Sequence, residues 1–124
     1  MGEATSSEET GRLFVVATPI GNLGDASPRS VDVLRSVEAI AAEDTRRTRK
    51  LLTHFDVHGR MIPYHDHNED RVAERIVSMI LGGKDVALVT DAGTPLVADP
   101  GYRLVRRCIE RGISVVPVPG PSAV

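Results

Sequence analysis

Val86-Ala87-Leu88-Val89-Thr90 runs with no spacer into Asp91-Ala92-Gly93-Thr94-Pro95. A short, almost wholly apolar run bounded by turn residues reads as a strand buried on both faces. In a parallel sheet, ligand loops sit at the carboxyl ends of such strands. Two more loops of this kind follow apolar runs. Thr18-Pro19-Ile20-Gly21-Asn22-Leu23-Gly24 follows Leu13–Ala17, and Pro117-Val118-Pro119-Gly120-Pro121-Ser122 follows Ile113–Val116. Three Gly/Pro-rich loops after three apolar strands point to one ligand crevice.

Outward from these loops, strand and helix patterns alternate along the chain. Strands are expected at Leu13–Ala17, Ala39–Ala42, Met61–Tyr64, Val86–Thr90 and Ile113–Val116. Ser27-Pro28 opens a first helix, as N-cap and first helical residue. Val31, Leu34 and Val37 give it an apolar stripe. A second helix covers Thr45–Phe55, with Leu51, Leu52 and Phe55 inward. Asn68 caps a third, lined by Val72, Ile76, Met79 and Ile80 and ended by Gly82-Gly83. Asp99-Pro100 opens a fourth with Leu104, Val105, Cys108 and Ile109 inward, closed by Gly112. Such repeated units predict an α/β fold: a five-stranded, mostly parallel sheet with helices on both faces. Phe14 and Phe55 read as core, and Tyr64 and Tyr102 as nearer the strand-end rim.

The chain has 124 residues, enough for one domain with a real core. Residues 1–11 carry Glu3, Glu8 and Glu9 and no Lys or Arg, and are expected to form a disordered acidic tail. The tail holds more than the whole net charge of −2, so the remaining body is close to neutral. Global charge therefore does not predict nucleic-acid binding, and any such site must come from local clustering. No apolar run approaches the roughly 18 residues of a membrane span. The polar start does not resemble a secretory signal, so a cytoplasmic location is expected. Cys108 is the only cysteine and reads as a small core residue.

The loops lack both G-x-G-x-x-G and G-x-x-x-x-G-K-[ST], which argues against an ordinary dinucleotide fold or a P-loop NTPase. Glycine lets backbone approach a ligand closely, and proline stiffens the loop. Binding through N–H and C=O groups suits a ligand with adenine, ribose and amino-acid parts. Two clusters add side-chain chemistry. Ala42-Glu43-Asp44-Thr45-Arg46-Arg47-Thr48-Arg49-Lys50 lies where the second strand meets the second helix. Four cations near a helix N-terminus oppose the macrodipole. Glu43 and Asp44 offset part of that. Arg46, Arg47, Arg49 and Lys50 then fit RNA phosphate, or else a solvated charged face. Tyr64-His65-Asp66-His67-Asn68-Glu69 ends the third strand. His65, Asp66 and His67 suit general-base work, as do Glu43 and Asp44. Two nearby histidines without a cysteine pair make a poor metal signature, and no metal is expected.

Five blocks in order carry a resemblance. They are Phe14-Val15-Val16-Ala17-Thr18-Pro19-Ile20-Gly21-Asn22-Leu23, Ala42–Arg46, His65–Glu69, Asp91–Pro95 with Asp99-Pro100-Gly101, and Pro119–Ala123. The chain from Leu13 to Val124 resembles the tetrapyrrole (corrin/porphyrin) methylase superfamily, in its ribosomal RNA branch. The resemblance implies S-adenosylmethionine bound in a cleft between two α/β domains. It assigns that cofactor to Pro19, Gly21 and Asn22, to Asp91, Ala92, Gly93, Thr94 and Pro95, and to Pro119, Gly120 and Ser122. It implies 2′-O-methylation of a cytidine ribose in the decoding region of 16S rRNA, and a homodimer. It makes residues 12–118 an N-terminal domain and 119–124 the start of a linker to a C-terminal domain. The alternatives are a small-molecule methylase acting on a tetrapyrrole and a non-catalytic binding or dimerisation module.

Overall fold

The computed structural model describes residues 10–18, 23–65, 69–90 and 100–119. In chain order the elements are β1 (Arg12–Ala17), a 3-10 turn (Leu23–Asp25), α1 (Pro28–Ser36), β2 (Ala39–Ala42), α2 (Thr45–His54), β3 (Arg60–Pro63), α3 (Glu69–Leu81), β4 (Val86–Thr90), α4 (Pro100–Glu110) and β5 (Ser114–Val118). All strand pairings are parallel, in the order β3-β2-β4-β1-β5. The expected α/β sheet with helices on both faces is present.

Local chemistry sets where the helices begin and end. The Ser27 hydroxyl accepts from the Ser30 amide at 3.1 Å, as an N-cap should, and Pro28 begins α1. Three helices end in the same six-residue turn. Val57 N–H donates to Leu52 O, Lys84 N–H to Met79 O and Ile113 N–H to Cys108 O. Each turn needs one residue in the left-handed region. Gly83 and Gly112 supply it after α3 and α4, and Asp56 supplies it after α2. Arg35 of α1 donates to Phe55 O at 2.8 Å, placing a cation at the carboxyl end of α2.

The sheet winds in one direction from β1 to β3 and back from β3 to β5. Crossovers between parallel strands are right-handed, so reversing the winding moves the helices to the other face. Accordingly α1 and α2 cover one face: Val31, Leu34, Leu51 and Leu52 meet Phe14, Val16, Ile40 and Val89. Helices α3 and α4 cover the other: Val72, Ile76, Ile80, Leu104 and Cys108 meet Leu13, Val15, Ala41 and Leu88. Val86–Val89 are buried between the two layers, as their uninterrupted apolar run predicts. Both edge strands carry a proline, Pro63 in β3 and Pro117 in β5. Proline is tolerated at an edge and removes an N–H that would template another strand.

Three expectations change. Strand β5 runs to Val118, two residues past its expected end, because Pro117 sits within an edge strand rather than breaking it. Tyr64 is fully buried, not at the rim. Its N–H donates to Ala42 O at 2.9 Å, extending the β2–β3 ladder, and its ring packs in the core under α3. Ile109 is 60% exposed rather than inward, because the buried stripe of α4 is narrow and runs through Leu104 and Cys108. The acidic stretch before Thr10, Asn68, Asp99 and the Tyr102 side chain lie outside the described residues.

Candidate functional site

Parallel pairing puts the carboxyl ends of all five strands along one edge of the sheet. The strand order divides that edge. The ends of β4, β1 and β5 are neighbours, with Ala17 opposite Thr90 and Val16 opposite Val118. These are the strands from which the three Gly/Pro loops leave. The ends of β2 and β3 form the other part, and they carry Glu43, Asp44 and His65. Ala42 faces Val89, so the β2 loop starts one strand spacing from the β4 loop, or about 4.8 Å. The helices that follow β1 and β4, α1 and α4, lie on opposite faces of the sheet, and in α/β sheets a ligand crevice belongs at such a switch point.

Thr18 fixes the start of that crevice. Its N–H donates to Thr90 O at 3.0 Å, and its Oγ1 donates to the same oxygen at 3.1 Å. The first residue after β1 is thereby clasped to the last residue of β4. From sequence alone Thr18 reads only as the first residue of the Gly/Pro loop. A hydroxyl directly after an apolar strand is the signal that was there to find. Pro119 is exposed at the end of β5. Pro19, Gly21, Asn22, Asp91, Ala92, Gly93, Thr94, Pro95, Gly120 and Ser122 lie outside the described residues.

On the β2 side, Glu43 and Asp44 are both exposed. Asp44 is the N-cap of α2: its Oδ1 accepts from the Arg47 amide at 2.9 Å. That carboxylate satisfies an orphan donor of the helix and places negative charge at its positive end. His65 follows Tyr64 and is half-buried, with Nδ1 shielded from solvent. Asp66 and His67 lie outside the described residues. The lone thiol is remote from this chemistry. Cys108 is fully buried in the α3–α4 layer, and burial pushes its pKa up to about 11, so it is a protonated, inert thiol.

Helix α2 separates its residues sharply. Thr48, Leu51 and Leu52 are buried against the sheet. Arg46, Arg49, Lys50, Thr53 and His54 recur at three- and four-residue spacing and line one open groove. Arg47 is half-buried and is not part of that lining. The sequence pattern gave the cations but not their company, Thr53 and His54. No acidic residue occurs anywhere in Thr45–His54. Arg46 with Arg49, and Arg46 with Lys50, are like-charge neighbours on a helix, which destabilise it.

Residues 12–124 match the family described as Tetrapyrrole (Corrin/Porphyrin) Methylases. The chain belongs to this methylase family. Eight relatives at 47–58% identity carry one name, ribosomal RNA small subunit methyltransferase I. One from Xylella fastidiosa is 58% identical over 113 residues, covering 91% of this chain and 41% of the relative. One from Escherichia coli O157:H7 is 52% identical over 119 residues, covering 96% of this chain and 42% of the relative. The chain thus spans about two-fifths of the length of these relatives. Among solved structures, uroporphyrin-III-C-methyltransferase from Thermus thermophilus superposes with a TM-score of 0.66 at 19% identity, over 91% of this chain and 49% of that one. A diphthine synthase superposes with a TM-score of 0.69 at 17% identity, over 91% and 45%. At such identities these two structures speak to the methylase fold alone.

Proposed function

We propose that this chain forms the N-terminal part of an S-adenosylmethionine-dependent methyltransferase of small-subunit ribosomal RNA. The acceptor is the 2′-hydroxyl of a cytidine ribose in the decoding region. The observation that carries the reading is the divided carboxyl edge of the sheet. Three neighbouring strands launch the loops that match the cofactor motifs, and the adjoining pair carries acid, histidine and cations. High identity to proteins named as rRNA methyltransferases supports it.

The framework fits the cofactor. Loops from β4, β1 and β5 start side by side, so one extended ligand can touch all three, and the Thr18 clasp fixes where two of them begin. When bound, S-adenosylmethionine supplies an electrophilic methyl group. The chain's own contribution is to hold a ribose oxygen in line with that group in a dry cleft. A ribose hydroxyl is a poor nucleophile, so a nearby base helps. Glu43 is the first candidate for receiving its proton, because β2 adjoins β4. His65, two residues past the end of β3, stands one strand further out, and Asp66 and His67 follow it in sequence. Asp44 serves the helix cap. Arg46, Arg47, Arg49 and Lys50 bring positive charge to the acceptor side. A tetrapyrrole methylase shares the fold but has no use for a cationic helix that starts at the acceptor strands. Among the described residues no helix is long and apolar enough to cross a membrane. We place the protein in the cytoplasm as a homodimer.

The test is a chimera in which this chain replaces the matching segment of the Escherichia coli O157:H7 relative. With labelled cofactor and unmodified small subunits, it is expected to make one ribose resistant to alkaline cleavage. Methylation of a base instead, or of a precorrin-type substrate in place of RNA, sinks the proposal. Glu43→Gln should lower kcat at least tenfold while leaving subunit binding intact.

A further inference from the structure

The groove on α2 does not stop at the strand-end site. Helix α2 leaves the carboxyl edge at Thr45 and returns toward the amino edge to feed β3. From Arg46 to His54 the groove extends about 12 Å along the helix. Arg46, Arg49 and Lys50 are exposed, and none is ion-paired with any other described residue. Two cations of α4, on the opposite face, are paired, whereas Arg71 and Arg75 of α3 are exposed and, like the α2 cations, have no ion pair with a described residue. Arg107 lies 2.8 Å from Glu74, and Arg106 lies 3.8 Å from Glu110. At the far end of the groove Thr53 offers a hydroxyl and His54 a ring nitrogen, both able to donate to phosphate oxygens.

We infer that the α2 groove is a track for the RNA sugar-phosphate backbone, holding phosphates that lie away from the methylated nucleotide. The inference rests on the RNA-methyltransferase reading and extends it to a second, remote contact. Charge complementarity names the occupant. Three unpaired cations on a helix without a single acid repel each other in the free protein, and a polyanion removes that repulsion. An anionic membrane is the poorer match. A helix lying on a membrane presents large apolar side chains to it, whereas Leu51 and Leu52 are buried against the sheet and the groove is lined by none. Arg47, off the groove, belongs to the strand-end site rather than to the track.

Binding of this chain to a labelled single-stranded RNA oligonucleotide, measured over a range of KCl concentrations, tests the track. Arg46→Gln, Arg49→Gln and Lys50→Gln together are expected to weaken binding tenfold or more. They should also flatten the slope of log K against log salt by about 2, at roughly 0.7 per phosphate contact. The charge-matched control is Arg71→Gln, Arg75→Gln and Arg106→Gln, on α3 and α4, and should keep most of the affinity. The groove variant should melt no lower than wild type, since like-charge neighbours have been removed. His54→Glu, at the far end, should weaken binding severalfold. Equal loss in both triple variants means that net charge alone acts, and overturns the track. So does a groove variant that binds like wild type, or an unchanged His54→Glu affinity. Groove-dependent binding to phosphatidylglycerol vesicles without binding to RNA overturns it in favour of a membrane. Methyl transfer by the chimera keeps the two claims apart. Transfer to rRNA with groove-independent RNA affinity removes the track and leaves the function. Absence of transfer by the chimera removes the function itself.

Discussion

A methyl group at position 11 would stand 2.0 Å from the carbonyl oxygen of Lys84. Gly11 also donates its N–H to Ile80 O at 2.8 Å, so the backbone at the entry to β1 cannot retreat. Gly11→Ala is expected to cost about 1–3 kcal/mol, the usual range for forced overpacking, read as a lower midpoint in thermal or urea melts. Cys108 makes a pH prediction. Its thiol ordinarily loses its proton near pH 9, but in the folded chain it keeps it to about 11. The unfolded state therefore releases that proton first as pH rises. The stabilisation is complete below pH 9 and disappears as pH climbs through 11, an effect of about 3 kcal/mol. Melts at pH 8 and pH 10.5 should show wild type losing more stability than Cys108→Ala between those values. An equal loss in both proteins would refute the assignment.

Asp44 carries two possible roles that one substitution separates. As the N-cap of α2 its oxygen is replaceable by that of asparagine, whereas a proton acceptor must be a carboxylate. Asp44→Asn should keep the melting temperature within about a degree or two, and Asp44→Ala should cost about 1 kcal/mol. Methyl transfer by an Asp44→Asn chimera should survive; a loss of a hundredfold or more would return Asp44 to the chemistry. On the other face, Arg107 of α4 reaches Glu74 at 2.8 Å and Asp70 at 3.3 Å in the first turns of α3. With the guanidinium partly shielded and two acids engaged, Arg107→Ala should cost about 1 kcal/mol. It should speed amide exchange at the start of α3, the segment directly after the His65 loop.

Elements were legible wherever an apolar period met a punctuating residue. Ser27-Pro28, Gly82-Gly83 and Gly112 fix helix ends by their own backbone chemistry, and Val86–Thr90 needs no neighbour to be read as central. Tyr64 and Ile109 were misplaced because burial at the end of an element depends on what packs there. No local pattern says that α3 will cover the residue after β3. The candidate site was readable as a set of loops. Its division was not, because strand order is a property of the whole sheet. Nothing local in the sequence places β1 between β4 and β5. Likewise the cations of α2 were evident as a run, but only the helix turn sets Arg47 aside and adds His54.

At the scale of the whole molecule the strand order has an effect on folding. The two neighbours of β1 are β4 and β5, drawn from the last third of the chain, while β2 and β3 never touch it. A break between residues 65 and 69 should therefore give two pieces that are unfolded apart and recover the native circular dichroism spectrum only when mixed. An independently folded piece of residues 1–65 would contradict this. On the ribosome, the strand made first is the strand paired last. Until residues 86–90 have emerged, Leu13–Ala17 is an apolar segment with no strand partner on either side, and its second side stays open until residues 114–118 follow. Such a segment is an aggregation hazard for as long as it waits. The arrangement that sets the Gly/Pro loops side by side thus holds the sheet open until β5 has been made, and the nascent chain must be shielded for that interval.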